Sequence, residues 1–579
     1  MKLLKVKINN YRNLDDFEVK LNKDINFIVG ENNIGKTNYL NCLEAVLSCK
    51  KFNEKDFNDI NKEVKIDLTL ELDDKEIGLF EDNTDPSHYN QINITAKQQT
   101  TEDYIEYYCK DTEMQISRES IRRANIIYYD SQQRNDLDFS RRIGSGRFLN
   151  DLMHRYLENK EKIEIVNDQV IQEIKDYIRN EMNRISIFKS FEISVGSSKE
   201  DIDILSRLLL LIDKNGVNIN QGGYGLRFSL AIVLSLLEKI SEYKRRFKTF
   251  EREFNTIVLF DEPEIHLHPY LQRTLIRDIL KLTNSKDSDF NKLLKDCFEI
   301  ESINAQIIIV THSPNILSDD YKKIIRLSNG KNACYCGYLN NVVDESMIKQ
   351  IRVQDKFFKE TFFARVVIIV EGFTEVGILY KFAELMEIDF DRSGIAVISA
   401  NGAENILPLC SLYKHLNIMT IAIYDGDKKN DYPEDKNTFF TKSKCFESEF
   451  VNLFIDNEDV QTLENMFIRY KKEFANLPVK QLDNMIEKEK FEQRKSKMID
   501  CCTTFNINYE RIDKDFYLSE VKSDLRLAQI WFTTWLYGEK GANIGWKLAT
   551  VIDDKQCIPK CYQEAINRAY ELSKGVNDE

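Results

Sequence analysis

Proline and glycine are scarce in this chain: 8 and 21 among 579 residues. So few backbone breakers argue against flexible low-complexity linkers and for long helices. No apolar run approaches the roughly 20 residues that cross a bilayer. The longest nearly apolar window is Ser229 to Leu237, and the opening stretch, Met1 to Asn13, has too short an apolar run for a secretory signal. A cytoplasmic protein without a membrane partner is expected. The 12 cysteines lack paired metal-ligand spacing. The nearest approaches are Cys334 with Cys336, Cys501 with Cys502, and Cys557 with Cys561, so reduced thiols are expected and a zinc site is not. An excess of basic charge is missing as well. The net charge of -14 argues against indiscriminate polyanion binding, and a nucleic-acid partner would need local patches such as Arg122-Arg123, Arg141-Arg142 and Lys244-Arg245-Arg246. What is present is length, enough for about three or four domains.

In the first half, the alternating residues 2 to 9, a turn at Tyr11-Arg12-Asn13, and Phe17 to Leu21 read as a hairpin. A strand at Asn26 to Val29 then enters Gly30-Glu31-Asn32-Asn33-Ile34-Gly35-Lys36-Thr37-Asn38, followed by a helical pattern from Tyr39 to Leu47. Strand, G-x4-G-K-T loop and helix stand in the order a phosphate-binding loop requires. Its backbone N–H groups close around phosphate oxygens, Lys36 supplies charge, and the Thr37 hydroxyl can ligate Mg2+. Far downstream, Thr256 to Phe260 leads into Asp261-Glu262-Pro263-Glu264. This fits a Walker B strand in which Asp261 holds Mg2+ and Glu262 polarises the attacking water. Ile307 to Val310 is a further buried strand, ending in Thr311-His312-Ser313, and His312 is placed to sense a terminal phosphate. Between these motifs, Val170, Ile171, Ile174, Ile178, Met182 and Ile185 recur at helical spacing. The stripe reads as an inserted helical arm for dimerisation.

The second half turns on Arg365 to Glu375. Five branched apolar residues, Val366 to Val370, suit a strand buried on both faces, and the run stops at Glu371-Gly372. A helix from Thr374 to Leu385 follows, then a strand at Ile395 to Ile398, a second helix to His415, and a strand from Met419 to Tyr424 that ends in Asp425-Gly426-Asp427. Right-handed crossovers of this length put every strand tip on one edge of a parallel sheet, so Glu371, Asp425 and Asp427 should converge. Clustered carboxylates repel, and a divalent cation relieves them. Oxygen donors favour Mg2+ or Mn2+, with Glu375 on the first helical turn as a further ligand.

The first set of motifs, with Asn10-Tyr11-Arg12-Asn13 and the histidines His266 and His268, resembles the ABC-type ATPase heads of the structural-maintenance and RecF-like group. The resemblance implies a signature loop, for which Gln221-Gly222-Gly223-Tyr224-Gly225 is the candidate although it departs from the usual Leu-Ser-Gly-Gly-Gln, and a Q-loop at Ser131-Gln132-Gln133. The second set resembles the Toprim domain of topoisomerases, primases and certain nucleases. An ABC-type head and a Toprim domain in one chain resemble the overcoming-lysogenization-defect (OLD) nuclease family, which includes the Gabija antiphage nuclease subunit. That resemblance implies a further acidic element, matched by Glu447 and Glu449, and a late lysine, matched by Lys540.

The expected fold is α/β: an ATPase head in two parts, 1–147 and 201–345, a helical dimerisation arm at 148–200, and a Toprim domain with helical additions at 346–579. The nucleotide site would draw on Gly30, Asn32, Asn33, Gly35, Lys36, Thr37, Asn38, Gln132, Gly222, Gly223, Asp261, Glu262 and His312. The expected activity is cleavage of double-stranded DNA with two Mg2+ or Mn2+ ions on Glu371, Glu375, Asp425 and Asp427, while ATP with Mg2+ binds the head. Family resemblance adds a homodimer or higher homo-oligomer and a UvrD-like helicase partner. The rival readings are a Toprim topoisomerase or primase, and an ATPase whose Toprim region only binds DNA or partners.

Overall fold

The computed structural model describes residues 1–78, 80, 90–130, 148, 152, 168–190, 194–197, 209–213, 215–219, 224–247, 252–265, 267–329, 334–339, 351–352, 354–475, 502, 524–538 and 541–575. They fall into two compact units, Met1–Asn340 and Asn341–Glu579.

In the first unit the strands are, in chain order, β1 (Lys2–Asn9), β2 (Phe17–Lys20), β3 (Ile25–Gly30), β4 (Val64–Glu71), β5 (Gln91–Gln98), β6 (Glu106–Cys109), β7 (Ile126–Asp130), β8 (Ser194–Ser197), β9 (Leu209–Ile212), β10 (Glu253–Asp261), β11 (Ser302–Val310), β12 (Ile324–Asn329) and β13 (Cys334–Tyr338). One sheet runs β2-β1-β4-β5-β6, and its pairs are antiparallel. The expected hairpin is there, with Lys5 opposite Lys20 and Ile8 opposite Phe17. On β4, Val64, Ile66, Leu68 and Leu70 alternate inward, the pattern of a sheet covered on one face only.

The second sheet runs β13-β12-β3-β11-β10-β7 and is parallel except for the edge strand β13. The last six residues of both β10 and β11 are buried, as continuous apolar runs in a sheet covered on both faces should be. Parallel pairing brings Gly30, Asp130, Asp261 and Val310 to one edge. The helix Lys36–Leu47 buries Tyr39, Leu40, Leu43, Val46 and Leu47 in one apolar cluster with side chains of both sheets. In the expected arm, Asp168–Met182 and Ser186–Ser190 are helical. Ile174, Ile178, Met182 and Ile185 are buried, and Arg184 pairs with Asp296 at 2.6 Å. The described part of that stripe is core of this unit.

In the second unit, β14 (Val366–Val370), β15 (Ile395–Ser399), β16 (Met419–Tyr424) and β17 (Thr438–Phe440) form a parallel sheet in the order β15-β14-β16-β17. All five residues of β14 are buried. The helices Phe373–Leu385 and Ile406–His415 make the crossovers. Later helices close the same core: Trp531, Trp535, Ile544, Leu548, Tyr562 and Ile566 join Val366, Ile368 and Phe382 in one cluster. The helix Ala542–Val551 crosses Phe373–Leu385 at very close range. A Cβ on Gly545 would stand 1.9 Å from the Thr374 carbonyl oxygen and 3.1 Å from the Gly377 Cα. Only a residue without a side chain allows the two backbones to meet there.

Candidate nucleotide and carboxylate sites

The first candidate site lies at the shared edge of β3, β10 and β11. Gly30 ends β3 at φ 145°, and a Cβ there would lie 2.5 Å from the Leu327 carbonyl oxygen, so glycine is required where the loop leaves the sheet. Asn32 and Asn33 are exposed on that loop, while Gly35 and Lys36 are buried. The Lys36 ammonium donates to the carbonyl oxygens of Gly30 (3.0 Å) and Glu31 (2.5 Å), and burial lowers its pKa to about 8. The Thr37 hydroxyl donates to Asp261 Oδ1 at 3.1 Å. Phosphate loop and Walker B carboxylate therefore meet across 224 residues of sequence.

Burial raises the Asp261 pKa to about 6, the Thr37 hydrogen bond opposes the rise, and Glu262 and Asp130 add to it. Glu262 has φ 50°, and its N–H donates to the Val310 carbonyl oxygen (2.9 Å). His312 Nε2 lies 3.3 Å from Glu262 Oε1, and the His312 backbone N–H donates to Glu264 Oε1 (2.5 Å). Burial and the Lys36 charge hold the imidazole below its usual pKa, which favours a neutral ring beside an acidic pair. Glu262, Glu264 and His312 thus form one hydrogen-bonded edge. His268 caps the helix Pro269–Thr283, its Nδ1 accepting from the Tyr270 N–H at 3.4 Å, and so packs a turn. Gln132, Gly222, Gly223 and His266 lie outside the described residues.

Three contacts here had no local signal. The Tyr128 hydroxyl, from β7, donates to Asp261 Oδ2 at 3.4 Å. Arg12 Nη1 donates to Asn38 Oδ1 at 2.6 Å, and Asn38 Nδ2 donates to Asn13 Oδ1 at 2.7 Å, tying the hairpin turn to the helix behind the phosphate loop. Arg12 and Asn13 stand out in the sequence, but nothing there pairs them with Asn38.

The second candidate site is the carboxyl edge of the β14 sheet. Val370 lies in register with Ser399 and with Ile423, so Glu371 leaves its strand level with Tyr424, one residue before Asp425 on the adjacent strand. The Asp425 backbone N–H donates to Glu371 Oε1 at 2.8 Å, and Asp425 Oδ1 accepts from the Phe446 N–H at 3.2 Å. A carboxylate at the start of the helix Phe446–Asp456 is favoured by the positive end of its dipole. The Ser399 hydroxyl and the Gly402 N–H both donate to the Glu371 carbonyl oxygen (3.3 and 3.1 Å), fixing the backbone from the third strand. Asp427 sits on a single 3-10 turn, 3.9 Å from the ammonium of Lys428.

Glu375 and Glu447 are buried, 4% and 1% exposed. Glu375 Oε2 is 3.0 Å from the position a Gly372 Cβ would take, which places this carboxylate back over the strand end. Glu447 Oε1 accepts from the Thr374 hydroxyl (3.3 Å), and Thr374 Oγ1 accepts from the Gly541 N–H (3.1 Å). Glu449 instead holds a loop, its Oε2 accepting from the Ser443 N–H at 2.6 Å. Lys540 lies outside the described residues. Sequence reading missed Tyr562: its ring is fully buried, its hydroxyl has no hydrogen-bond partner among the described residues, and after burial its pKa is raised by Glu375, Cys561, Asp425 and Glu447. The helix Lys560–Ser573, which carries Tyr562, therefore reaches beneath the acidic edge.

The donors here are carboxylate oxygens, the set hard divalent cations take. Among the described residues no three or more His, Cys, Asp or Glu side chains are grouped so as to hold a metal ion. A magnesium-sized ion keeps several waters and takes one or two carboxylates plus substrate oxygens, so the adjoining Glu371 and Asp425 fit such an ion in kind.

Residues 1–145 and 126–317 match the AAA ATPase domain family. Residues 362–427 match the overcoming lysogenization defect protein-like TOPRIM domain. The chain is 23% identical over 477 residues to Endonuclease GajA of Bacillus cereus strain VD045, covering 74% of this chain and 76% of the relative. It is 22% identical over 472 residues to the OLD nuclease of Thermus scotoductus, covering 73% and 82%. With the Old nuclease of Escherichia phage P2 it shares 23% identity over 323 residues, covering 52% and 49%. Among the described residues no helix is long and apolar enough to cross a membrane. The two matched domains imply ATP and a divalent metal. With the nucleotide edge in one unit and the carboxylate edge in the other, this chain is a member of the AAA ATPase domain family that carries an overcoming lysogenization defect protein-like Toprim domain.

Proposed function

We propose that this protein is a metal-dependent DNA endonuclease whose cutting is regulated by nucleotide at its ATPase unit. The observation that carries the reading is the hydrogen bond from the Asp425 N–H to Glu371 Oε1 at the end of a fully buried strand. It supports a phosphate-cutting edge because Glu371 and Asp425, 54 residues apart, are presented together by the rigid part of the sheet. Glu371, Glu375, Asp425 and Asp427 are the residues that would hold Mg2+ or Mn2+, two ions by resemblance to other Toprim nucleases. Divalent metal supplies an activated water and a counter-charge for the departing oxygen. Glu447, held by Thr374, orients the first turn that carries Glu375. Lys540, which immediately precedes the Gly541 anchored on Thr374, would neutralise charge developing on the phosphate.

In the ATPase unit, ATP with Mg2+ would displace the Lys36 ammonium from the Gly30 and Glu31 carbonyl oxygens, with Thr37 and Asp261 meeting the metal and His312 the terminal phosphate. A homo-oligomer, completed by the Gly222-Gly223 loop of a partner head, and a helicase-like partner in antiphage defence follow from the likeness to Gabija and belong to this proposal. Double-stranded DNA is the substrate of this proposal, and the likeness to nucleases supports it. Incubation with supercoiled plasmid and Mg2+ or Mn2+, with and without ATP, tests it. Relaxed or linear product that disappears with a chelator is expected. Nucleotide turnover without any cut DNA would replace it with an ATPase that only binds DNA, and protein left covalently on DNA after denaturation would replace it with a topoisomerase.

A further inference from the structure

We propose that Gln272 is a positioning residue for the terminal phosphate of the nucleotide: its side-chain amide fixes the loop that carries His312, and so sets how sharply the protein tells a nucleoside triphosphate from a diphosphate. The inference rests on the nucleotide reading above and adds a specificity residue to it. Gln272 lies on the helix Pro269–Thr283, 41 residues before Ser313, and both side chains are buried. Its Nε2 donates to the carbonyl oxygens of Leu267 (3.0 Å) and Glu264 (3.3 Å), and its Oε1 accepts from the Ser313 hydroxyl at 2.7 Å. Both amide hydrogens and the amide oxygen are thus used, and the two carbonyl oxygens require the nitrogen on their side.

The amide joins the turn after Asp261 and Glu262 to the loop that leaves β11. On the first side, the Glu264 carbonyl oxygen also takes the Leu267 N–H (3.0 Å), which closes the turn. On the other, the Ser313 hydroxyl accepts from the Asn315 N–H (3.2 Å) and the Ser313 N–H donates to Thr311 Oγ1 (2.9 Å). One hydroxyl therefore shapes the chain directly after His312. Glu264 grips the His312 N–H with its carboxylate, and Gln272, bonded to the Glu264 carbonyl, grips the next residue. Reading a phosphate with one side chain needs that side chain held in place beforehand. A buried amide with every group paired is costly to disturb, because a lost partner leaves a desolvated polar group behind. The phosphate loop is held separately, by Lys36 on Gly30 and Glu31 and by Thr37 on Asp261. Loosening the Ser313 loop should thus weaken the grip on the third phosphate and spare the grip on the first two.

The full chain, as wild type, Q272L, S313A, H312A and the double variant S313A/H312A, is titrated calorimetrically with ADP and with a non-hydrolysable ATP analogue, each with Mg2+. Leucine keeps most of the bulk of glutamine without its bonds. S313A removes only the hydroxyl and decides alone where Q272L fails to fold. Wild type should prefer the triphosphate. Q272L and S313A should keep wild-type ADP affinity and bind the triphosphate roughly 3- to 10-fold more weakly, the scale of one hydrogen bond. H312A should lose the same preference, and the double variant should bind no more weakly than H312A, because both changes act on one contact. Wild-type preference in S313A or in a folded Q272L would overturn this inference alone. So would equal weakening toward both nucleotides, which a merely structural role would give, or losses that add in full in the double variant. A wild type that binds both nucleotides equally would also remove His312 as the sensor, and one that binds neither would overturn the nucleotide half of the reading above as well.

Discussion

Asp261 and Lys36 face each other across the nucleotide edge with opposite departures from their usual proton affinities. Burial lifts the carboxyl to about 6 and lowers the ammonium to about 8. Binding of Mg2+-nucleotide needs the first deprotonated and the second protonated. Affinity should therefore rise as pH passes about 6, hold, and fall again above about 8. Titration of a fluorescent ATP analogue at pH values spanning both limits and extending beyond each checks it, and a profile flat throughout would contradict the assignment of both residues. Tyr562 offers a different kind of check. Its hydroxyl is buried without a hydrogen-bond partner among the described residues, so Tyr562→Phe removes a group unsatisfied there. Stability should stay level or rise by up to about 1 kcal/mol, read by thermal denaturation. A drop of that size would mean the phenol is satisfied in the folded protein.

Among the elements, the crossing of Ala542–Val551 over Phe373–Leu385 matters most to the acidic edge. Gly545→Ala would drive a methyl group into the Thr374 carbonyl and push the helix off the turn that holds Glu375. A cost of about 1–3 kcal/mol, with loss of nicking, is expected in denaturant melts and plasmid assays. Asn543→Ala, on the exposed face, should leave both unchanged. That crossing was not legible in the sequence, where a glycine inside a helical pattern reads only as a weak position. The strands were legible. Val366 to Val370 and Thr256 to Phe260 are apolar runs that stop abruptly at acids, and buried parallel strands leave that trace. The convergence of Glu371 with Asp425 followed from strand and helix alternation. What stayed hidden were pairings set by packing across long separations: Tyr128 on Asp261, Arg12 on Asn38, Thr374 between Glu447 and Gly541, and Tyr562 under the carboxylates. Nor could periodicity alone say what covers the apolar face of the Ile174 to Ile185 stripe, whose described residues are buried.

For the whole molecule, the nucleotide edge belongs to Met1–Asn340 and the carboxylate edge proposed to cut to Asn341–Glu579. We propose that the segment at 148–200 and the partner head make the assembly, and that nucleotide changes how the cutting edge meets DNA. Lys36→Ala should abolish ATP binding and leave nicking in place but indifferent to added nucleotide. A surviving nucleotide response would break the link between the two edges. The central claim, that Glu371 and its neighbours on the β14 sheet do the cutting, is met most directly by one comparison. Plasmid nicking in Mn2+ is measured for wild type and Glu371→Ala, with ATP binding recorded on the same samples. A loss of roughly a hundredfold or more in nicking, with ATP affinity unchanged, is predicted. Nicking at the wild-type rate by the variant would contradict the account.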